Sequence, residues 1–464
     1  MKIYNTMARE KEELVTLEPG VVRIYACGPT VYNYIHIGNA RPLCVFDVLR
    51  RYLEWRGYTV RFVQNFTDID DKIIRRANEE GVAYDVIAER YIEEFWTDAK
   101  GLGVREATVH PRATENMNEI MDIIRTLEEK GYAYKAANGD VYFRTRKDEG
   151  YGKLSHQPID DLESGARIGI GEEKEDALDF ALWKAAKPGE PFWDSPWSDG
   201  RPGWHIECSA MARRYLGESI DIHCGGQDLI FPHHENEVAQ SECCNGAPFA
   251  RYWMHNGYIN VDNKKMSKSL GNFFTVRDVA EKYGYEPIRF FLISSSYRSP
   301  INYNNESIEQ ATAALERLYN CKNALDFALK NAPAGEADAA VVAFCDKRRQ
   351  QFIEAMDDDL NTADGISAVF ELVKDINRMI ADAQPTEGSL RVASDLFAEL
   401  TEVLGLLYAR VNDGDDSEIE VMIEQRRLAR AEKNWAESDR IRDELKAMGV
   451  VVEDTPQGMK WHRV

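Results

Sequence analysis

The chain has 464 residues, 44% of them hydrophobic and 10% aromatic, and a formal net charge of -22. That length exceeds one ordinary core and implies about three domains, while no run approaches the roughly 18 to 20 apolar residues a membrane span requires. The acidic balance excludes a generic polyanion binder, so any nucleic acid has to meet local basic patches. Met1 to Leu17 lacks the basic start and apolar stretch of a secretory leader, which makes the cytoplasm the expected compartment. Eight cysteines in so long a chain point to metal binding or catalysis rather than a disulfide framework. Cys44, Cys321 and Cys345 are expected to pack as small hydrophobes.

In chain order, Val21 to Ala26 reads as a buried strand and Cys27-Gly28-Pro29-Thr30 as a turn into a helix beginning near Asn39. Val45, Val48, Leu49, Tyr52 and Leu53 recur at helical spacing until Gly57, and Thr59 to Phe66 forms the next strand. Such a βαβ unit needs a parallel sheet and a right-handed crossover, with its crevice at the carboxyl ends of the strands. Cys27 and Asn65 to Asp68 should converge there. Residues 1–113 thus hold a first α/β half. A helix stripe of Met117, Ile120, Met121 and Ile124, then a Gly, Pro and Trp rich stretch, reads as an insertion over 114–200. A second α/β half, 201–256, carries a strand at Ser219 to His223, then Gly225 and Gly226, then a helix opening at Pro232. A lysine-rich loop lies in 257–306. Ala311, Ala314, Leu315, Leu318, Leu325 and Ala328 begin a helical bundle over 307–411. An acidic linker, Asn412 to Asp416, precedes a tail at 417–464, expected as two short helices and a hairpin from Val450 to Trp461.

Five groups of residues carry chemistry. Lys264-Lys265-Met266-Ser267-Lys268-Ser269-Leu270-Gly271-Asn272 sets cations on a Gly-containing loop, and fixed cations offset the charge that builds on a phosphate under attack. A solvated basic loop would account for most lysine-rich strings. His36-Ile37-Gly38-Asn39 opens the first helix, where free backbone amides favour phosphate and Gly38 permits close approach. Asn39 can donate to a phosphate or cap the helix. His233 and Glu237, four apart, share one helix face and can share a metal, with thiolates completing the set; sulfur with imidazole and carboxylate favours Zn²⁺. Gly225-Gly226-Gln227-Asp228 offers backbone amides and a carboxylate, although a Gly pair with Asp is usually a turn. The missing Gly-x-Gly-x-x-Gly speaks against a dinucleotide coenzyme. In the tail, residues 418–464 hold nine basic and ten acidic side chains. There Arg426, Arg427, Arg430, Lys433, Trp435 and Asp439 combine phosphate contacts, a stacking surface and a base-edge acceptor, whereas a solvated helix with Trp435 in a small core is the plainer account.

Taken together these strings resemble the cysteinyl-tRNA synthetase family of class I aminoacyl-tRNA synthetases. The resemblance rests on Cys27-Gly28-Pro29-Thr30-Val31-Tyr32, His36 to Asn39, Gly203-Trp204-His205-Ile206-Glu207-Cys208-Ser209, Pro232-His233-His234-Glu235-Asn236-Glu237 and the Lys-Met-Ser-Lys-Ser string. It covers essentially the entire chain. The family's commonest form of the second string is His-Ile-Gly-His, from which Asn39 departs. The resemblance implies a Rossmann-like parallel-sheet catalytic domain with an inserted connective subdomain, a lysine-loop and stem-contact region, a tRNA-binding helical bundle and a mixed α/β anticodon-binding domain. It implies ATP, taken with Mg²⁺, L-cysteine and tRNA(Cys) as partners, one Zn²⁺ on Cys27, Cys208, His233 and Glu237, and an enzyme acting as a monomer. His223, His234 and Cys224 are the competing ligands. By the same resemblance His36, Asn39, Lys265 and Lys268 are catalytic, and Gly38, Gly225, Asp228 and Lys268 meet ATP. Thr67 and Trp204 close the amino-acid pocket, and Arg430, Trp435, Asp439 and Asp454 meet the anticodon. A metal–thiolate bond would separate cysteine from serine far better than the ~1 to 3 kcal/mol of an apolar pocket, so no editing domain is expected. The alternatives are a related ligase that passes activated cysteine to a small amine, and a non-catalytic tRNA-binding or zinc scaffold.

Overall fold

A computed structural model describes the chain apart from residues 159–172, 266–271, 383, 410–415, 456–457 and 464. The chain divides into two compact units, Met1–Ser307 with Met356–Thr362, and Ile308–Ala355 with Ala363–Val464.

The first unit opens with a hairpin, β1 (Lys2–Asn5) against β2 (Glu10–Glu13), followed by β3 (Val21–Ala26), α1 (Ile37–Trp55) and β4 (Thr59–Gln64). β3 is almost wholly buried, with Val22, Ile24 and Tyr25 at 0% exposure, as a strand covered on both faces requires. Helices α2 (Asp71–Glu80), α3 (Tyr84–Gly101) and α4 (Met117–Glu129) lead into an antiparallel sheet of β5 (Ala133–Lys135), β6 (Val141–Phe143), β7 (Phe180–Ala185) and β8 (Gly200–Pro202). Ile120, Ile123, Ile124 and Leu127, the inner stripe of α4, close its core with Phe143, Leu182 and Trp183. The chain then returns through α5 (Ile206–Leu216), β9 (Ile220–Gly226), α6 (Glu235–Asn245) and β10 (Ala250–Asn256).

The central sheet has the order β10-β9-β3-β4, all parallel. From β3 the chain moves one way to β4, and from β9 it moves the other way to β10. The strand order therefore reverses between β3 and β9, the place where open α/β sheets bind ligands. Cys27 follows β3 and Gly225 and Gly226 end β9, so both lie at that point.

Two charged side chains hold α1 in place. Arg41, fully buried, donates to the carbonyls of Gly257 at 2.7 Å and Ser296 at 3.1 Å. Asp47 receives Arg51 at 2.7 Å and Arg289 at 2.6 Å, with Arg289 fully buried. Removing one partner of such a buried pair costs about 3 to 5 kcal/mol, because a charge is stranded away from water. These contacts fix the helix whose amino terminus faces the crevice.

The second unit contains long helices, among them Thr362–Asp382 and Glu387–Leu404 with their apolar stripes buried, and a tail of Asp416–Ala431, Trp435–Ala447 and the hairpin Val450–Thr455 with Gly458–Arg463. The tail's own core is Ile419, Ile441, Leu445 and Val450, with Trp461 packed against it. The mixed α/β class expected from the sequence, with its parallel sheet and helical carboxyl-terminal region, is what the chain adopts.

Candidate active site and metal centre

Four side chains from three separate segments meet at the switch point. Cys27 lies on the turn after β3, Cys208 in the first turn of α5, and His233 and Glu237 at the start of α6. The helix expected to open at Pro232 begins instead at Glu235, preceded by a wide turn of π type over Ile230–His234. His233 still stacks over Glu237, at 3.0 Å from Nε2 to Oε1. Cys27 Sγ lies 3.8 Å from Cys208 Sγ and 3.3 Å from Glu237 Oε1, and Cys208 Sγ lies 3.6 Å from His233 Nε2. A tetrahedral ion with the usual sulfur and nitrogen bond lengths separates two sulfurs by about 3.8 Å and sulfur from nitrogen by about 3.6 Å. The donor set therefore fits a metal of that geometry. A second overlapping group, Cys27, His223, His234 and Glu237, also lies within metal-binding reach. Cys224, the remaining candidate, turns away and donates to the Tyr25 carbonyl.

The electrostatics agree. Donation from Cys27 draws the Cys208 thiol down to about 6 against the effect of burial, and His233 adds to the shift. Burial pushes Cys27 up. Burial also opposes the charge on Glu237, yet His223 and His233 hold its carboxyl down to about 2. Two anions thus face one imidazole that Glu237 and Cys208 hold up to about 10 despite its burial, a charge pattern a divalent cation satisfies. Around this set, His205 Nδ1 meets His233 Nδ1 at 2.9 Å and His223 Nε2 meets Glu237 Oε2 at 2.8 Å. Such partners orient metal ligands.

The residues around this set are equally specified. Trp204, 39% exposed, lays its ring over His233 at 4.3 Å between centroids. Thr67 is buried and donates to Glu207 Oε2 at 2.9 Å; burial, then the charge of Cys208, raises that carboxyl well above its usual range. Asn65 accepts from the Gly28 amide at 2.9 Å. A Cβ on Gly28 would come within 1.6 Å of the Asn65 carbonyl oxygen, so only glycine lets the two strand ends close.

At the crevice end of the sheet, α1 begins at Ile37, two residues before the expected Asn39, with His36 as its cap. The His36 ring accepts the Asn39 amide at Nδ1, 3.2 Å, and Asn39 Oδ1 accepts the His36 amide, 3.2 Å. Asn39 is therefore the third helical residue of a capping box closed with His36, whose ring accepts at Nδ1. Ile37 and Val276 pair by backbone with Phe274 and Ile35, tying this turn to the segment that follows the lysine string. Met266 to Gly271, Lys268 among them, and the Lys265 side chain lie outside the described residues. Gly225 packs against His234, whose ring a Cβ would approach to 2.8 Å, and Asp228 is exposed.

A family model for the class I (C) tRNA synthetase catalytic domain matches residues 13–313, a DALR domain matches 351–408, and a cysteinyl-tRNA ligase anticodon binding domain matches 413–461. The cysteine–tRNA ligase of Clostridioides difficile is 56% identical over 467 residues, covering 100% of both chains. The chain belongs to the cysteine–tRNA ligase family. The Bacillus licheniformis relative is 55% identical, covering 100% of this chain and 99% of its own. Among solved structures, Mycobacterium tuberculosis methionyl-tRNA synthetase in complex with methionyl-adenylate superposes with a TM-score of 0.61 at 17% identity, covering 83% of this chain and 89% of that one. LeuRS of Agrobacterium radiobacter K84, in a ternary complex, gives 0.61 at 12%, covering 84% and 85%. These two establish the class I fold.

The tail is the segment that the anticodon binding domain model matches. Trp435 is 56% exposed, outside the tail's core, with the Arg430 guanidinium 5.6 Å above its ring. The plainer account of Trp435 as a core residue is therefore wrong. Asp439, exposed, pairs with Arg442 at 3.1 Å. Arg426 is buried, and Arg427 pairs with Glu424. Asp454 pairs by backbone with Met459 on the hairpin, and its side chain lies outside the described residues. No helix among the described residues is long and apolar enough to cross a membrane. Sequence reasoning placed Asn65 at the crevice but missed Glu207 and His205 as supports of the site. The family string Gly203 to Ser209 contained the last two, but nothing in spacing distinguishes a supporting side chain from a ligand.

Proposed function

We propose that this family member charges tRNA(Cys) in two steps, forming cysteinyl-adenylate from L-cysteine and ATP and then passing the acyl group to the tRNA 3′ end. The observation that carries the reading is the Cys27, Cys208, His233, Glu237 set, with donor separations of 3.0 to 3.8 Å beside the switch-point crevice. Two sulfurs with an imidazole and a carboxylate favour Zn²⁺. His223 and His234 are fully buried, whereas this set borders the half-exposed Trp204, and a site that receives substrate needs an open side. Cys27, Cys208, His233 and Glu237 would hold Zn²⁺, which would supply a Lewis acid that favours a sulfur donor over a hydroxyl.

The remaining work belongs to the chain. Trp204 and Thr67 enclose the amino acid and exclude water. The amino terminus of α1, with Gly38 and the Nε2–H of His36, receives ATP phosphates. Lys265 and Lys268 offset charge on the departing pyrophosphate, and Asp228 with the Gly225 backbone meets the adenosine. The bound carboxylate is thereby set in line with the α-phosphate, so positioning and charge stabilisation suffice and no side-chain nucleophile is needed. Arg430, Trp435, Asp439 and Asp454 take the unstacked anticodon bases. Cysteine-dependent pyrophosphate exchange followed by transfer to tRNA(Cys) tests the whole reading. Exchange without transfer would point to a small amine acceptor, and neither reaction to a scaffold.

A further inference from the structure

Behind Cys27, a line of polar side chains runs away from the crevice to the amino-terminal hairpin. His234 Nε2 lies 3.3 Å from Cys27 Sγ, and His234 Nδ1 lies 2.8 Å from His255 Nε2. His255 Nδ1 in turn lies 2.7 Å from the hydroxyl of Thr6. Both imidazoles are buried, at 0% and 3% exposure, and Trp253 packs beside both rings.

The chemistry at one end fixes the direction of every bond in the line. A metal-held thiolate only accepts, so His234 must carry its proton on Nε2. A neutral ring then accepts at Nδ1, which requires Nε2–H on His255. That ring is left with Nδ1 as an acceptor, and the Thr6 hydroxyl donates to it. Any other tautomer would set two hydrogens or two lone pairs face to face in a buried line.

Thr6 is placed for this independently of its hydroxyl. Its amide donates to the Trp253 carbonyl at 2.9 Å, and its carbonyl meets His156 Nε2 at 3.1 Å. The neighbouring Asn5 side chain accepts from the Trp253 amide at 3.0 Å and donates to the Arg251 carbonyl at 3.0 Å. The hairpin is thus fastened along β10, and the hydroxyl remains to orient His255.

We infer that Thr6 is a positioning residue of the metal centre: through the tautomers of His255 and His234 it sets the N–H that supports the Cys27 thiolate. The inference rests on the proposed ligand set, with Cys27 bound to the metal and His234 outside it. A group bonded directly to a metal ligand, as His234 is to Cys27, is worth about 10- to 100-fold in metal affinity, and Thr6, two bonds farther out, acts at the lower end of that range.

The test uses the full-length enzyme. In ¹⁵N spectra of the zinc-loaded wild type, His234 and His255 should both appear as neutral Nε2–H tautomers; a Nδ1–H form of either ring overturns the inference. Thr6→Val, nearly isosteric, should speed loss of the metal to a chelator by up to about 10-fold and shift the thiolate-to-cobalt absorption of the Co²⁺-substituted protein. Thr6→Ser should restore both. Wild-type Co²⁺ protein without thiolate bands would overturn the ligand reading itself. Normal bands that Thr6→Val leaves unmoved, with an unchanged metal loss rate, would sink only the role of Thr6.

Discussion

Cys208, His233 and Glu237 are 3%, 2% and 0% exposed, and each meets at least two polar partners, whereas Trp435 is 56% exposed and carries a single guanidinium over its ring. The ligand cluster is largely buried and each of these side chains is held by several partners, so one wrong atom leaves several groups unsatisfied at low dielectric. The tail surface is wet and held by its backbone, so losing a side chain there removes only that contact. This difference sets the scale of what substitution does in each place.

The largest effect is expected from Cys208→Ser. A hydroxyl replaces a thiolate that neighbours Cys27 at 3.8 Å and His233 at 3.6 Å, so bound zinc should fall well below one per chain. Preference for cysteine over serine in pyrophosphate exchange should then drop from the ~10⁴-fold or more of a site built around one substrate group toward the ~10- to 200-fold of an apolar pocket. Full zinc content with unchanged selectivity would break the contrast drawn above, because the pocket would then tolerate a lost ligand as easily as the tail tolerates a lost side chain.

Much of this is legible in the amino-acid sequence. The strand Val21–Ala26 was read residue for residue, because an apolar β-branched run ended by Cys-Gly-Pro has one local solution. The convergence of Cys27 with Asn65 followed from the βαβ rule alone. The ligand set is different in kind: nothing local links Cys27 to Cys208 across 181 residues, and only likeness to a family's strings named them together. The amino-terminal hairpin was not anticipated, since Glu10–Glu13 is too charged to read as a strand and is held by pairing with Lys2–Asn5. The wide turn at Ile230–His234 also escaped, because a proline near a helix start ordinarily marks its first turn.

A middle-sized effect tests the other side of the comparison. Trp435→Ala should weaken tRNA binding by about 1 to 3 kcal/mol, the worth of one stacked base, and so raise the KM for tRNA roughly 5- to 150-fold. The rate of cysteine-dependent pyrophosphate exchange should not change, nor should the melting temperature, because the ring lies outside the tail's core. A matching loss of exchange activity would mean that the exposed surface and the buried pocket are not separable as claimed.

The smallest effect is expected where the two regimes meet, at Asn39, half-buried at the crevice end of α1. Its carbonyl oxygen accepts the His36 amide while its own amide feeds the His36 ring. Asn39→Ala removes the first bond and leaves the second, costing about 1 kcal/mol of helix-start stability. If that turn holds ATP, the KM for ATP should rise about fivefold or less with the KM for cysteine unchanged. Asn39→Asp separates the two roles open to this side chain. It keeps the capping oxygen and suits the positive end of the helix, so thermal stability should match the parent, while its charge repels phosphate and ATP binding should weaken more than in Asn39→Ala. Loss of stability with intact ATP binding in the aspartate variant would reverse the order of these roles and remove the phosphate from the end of α1.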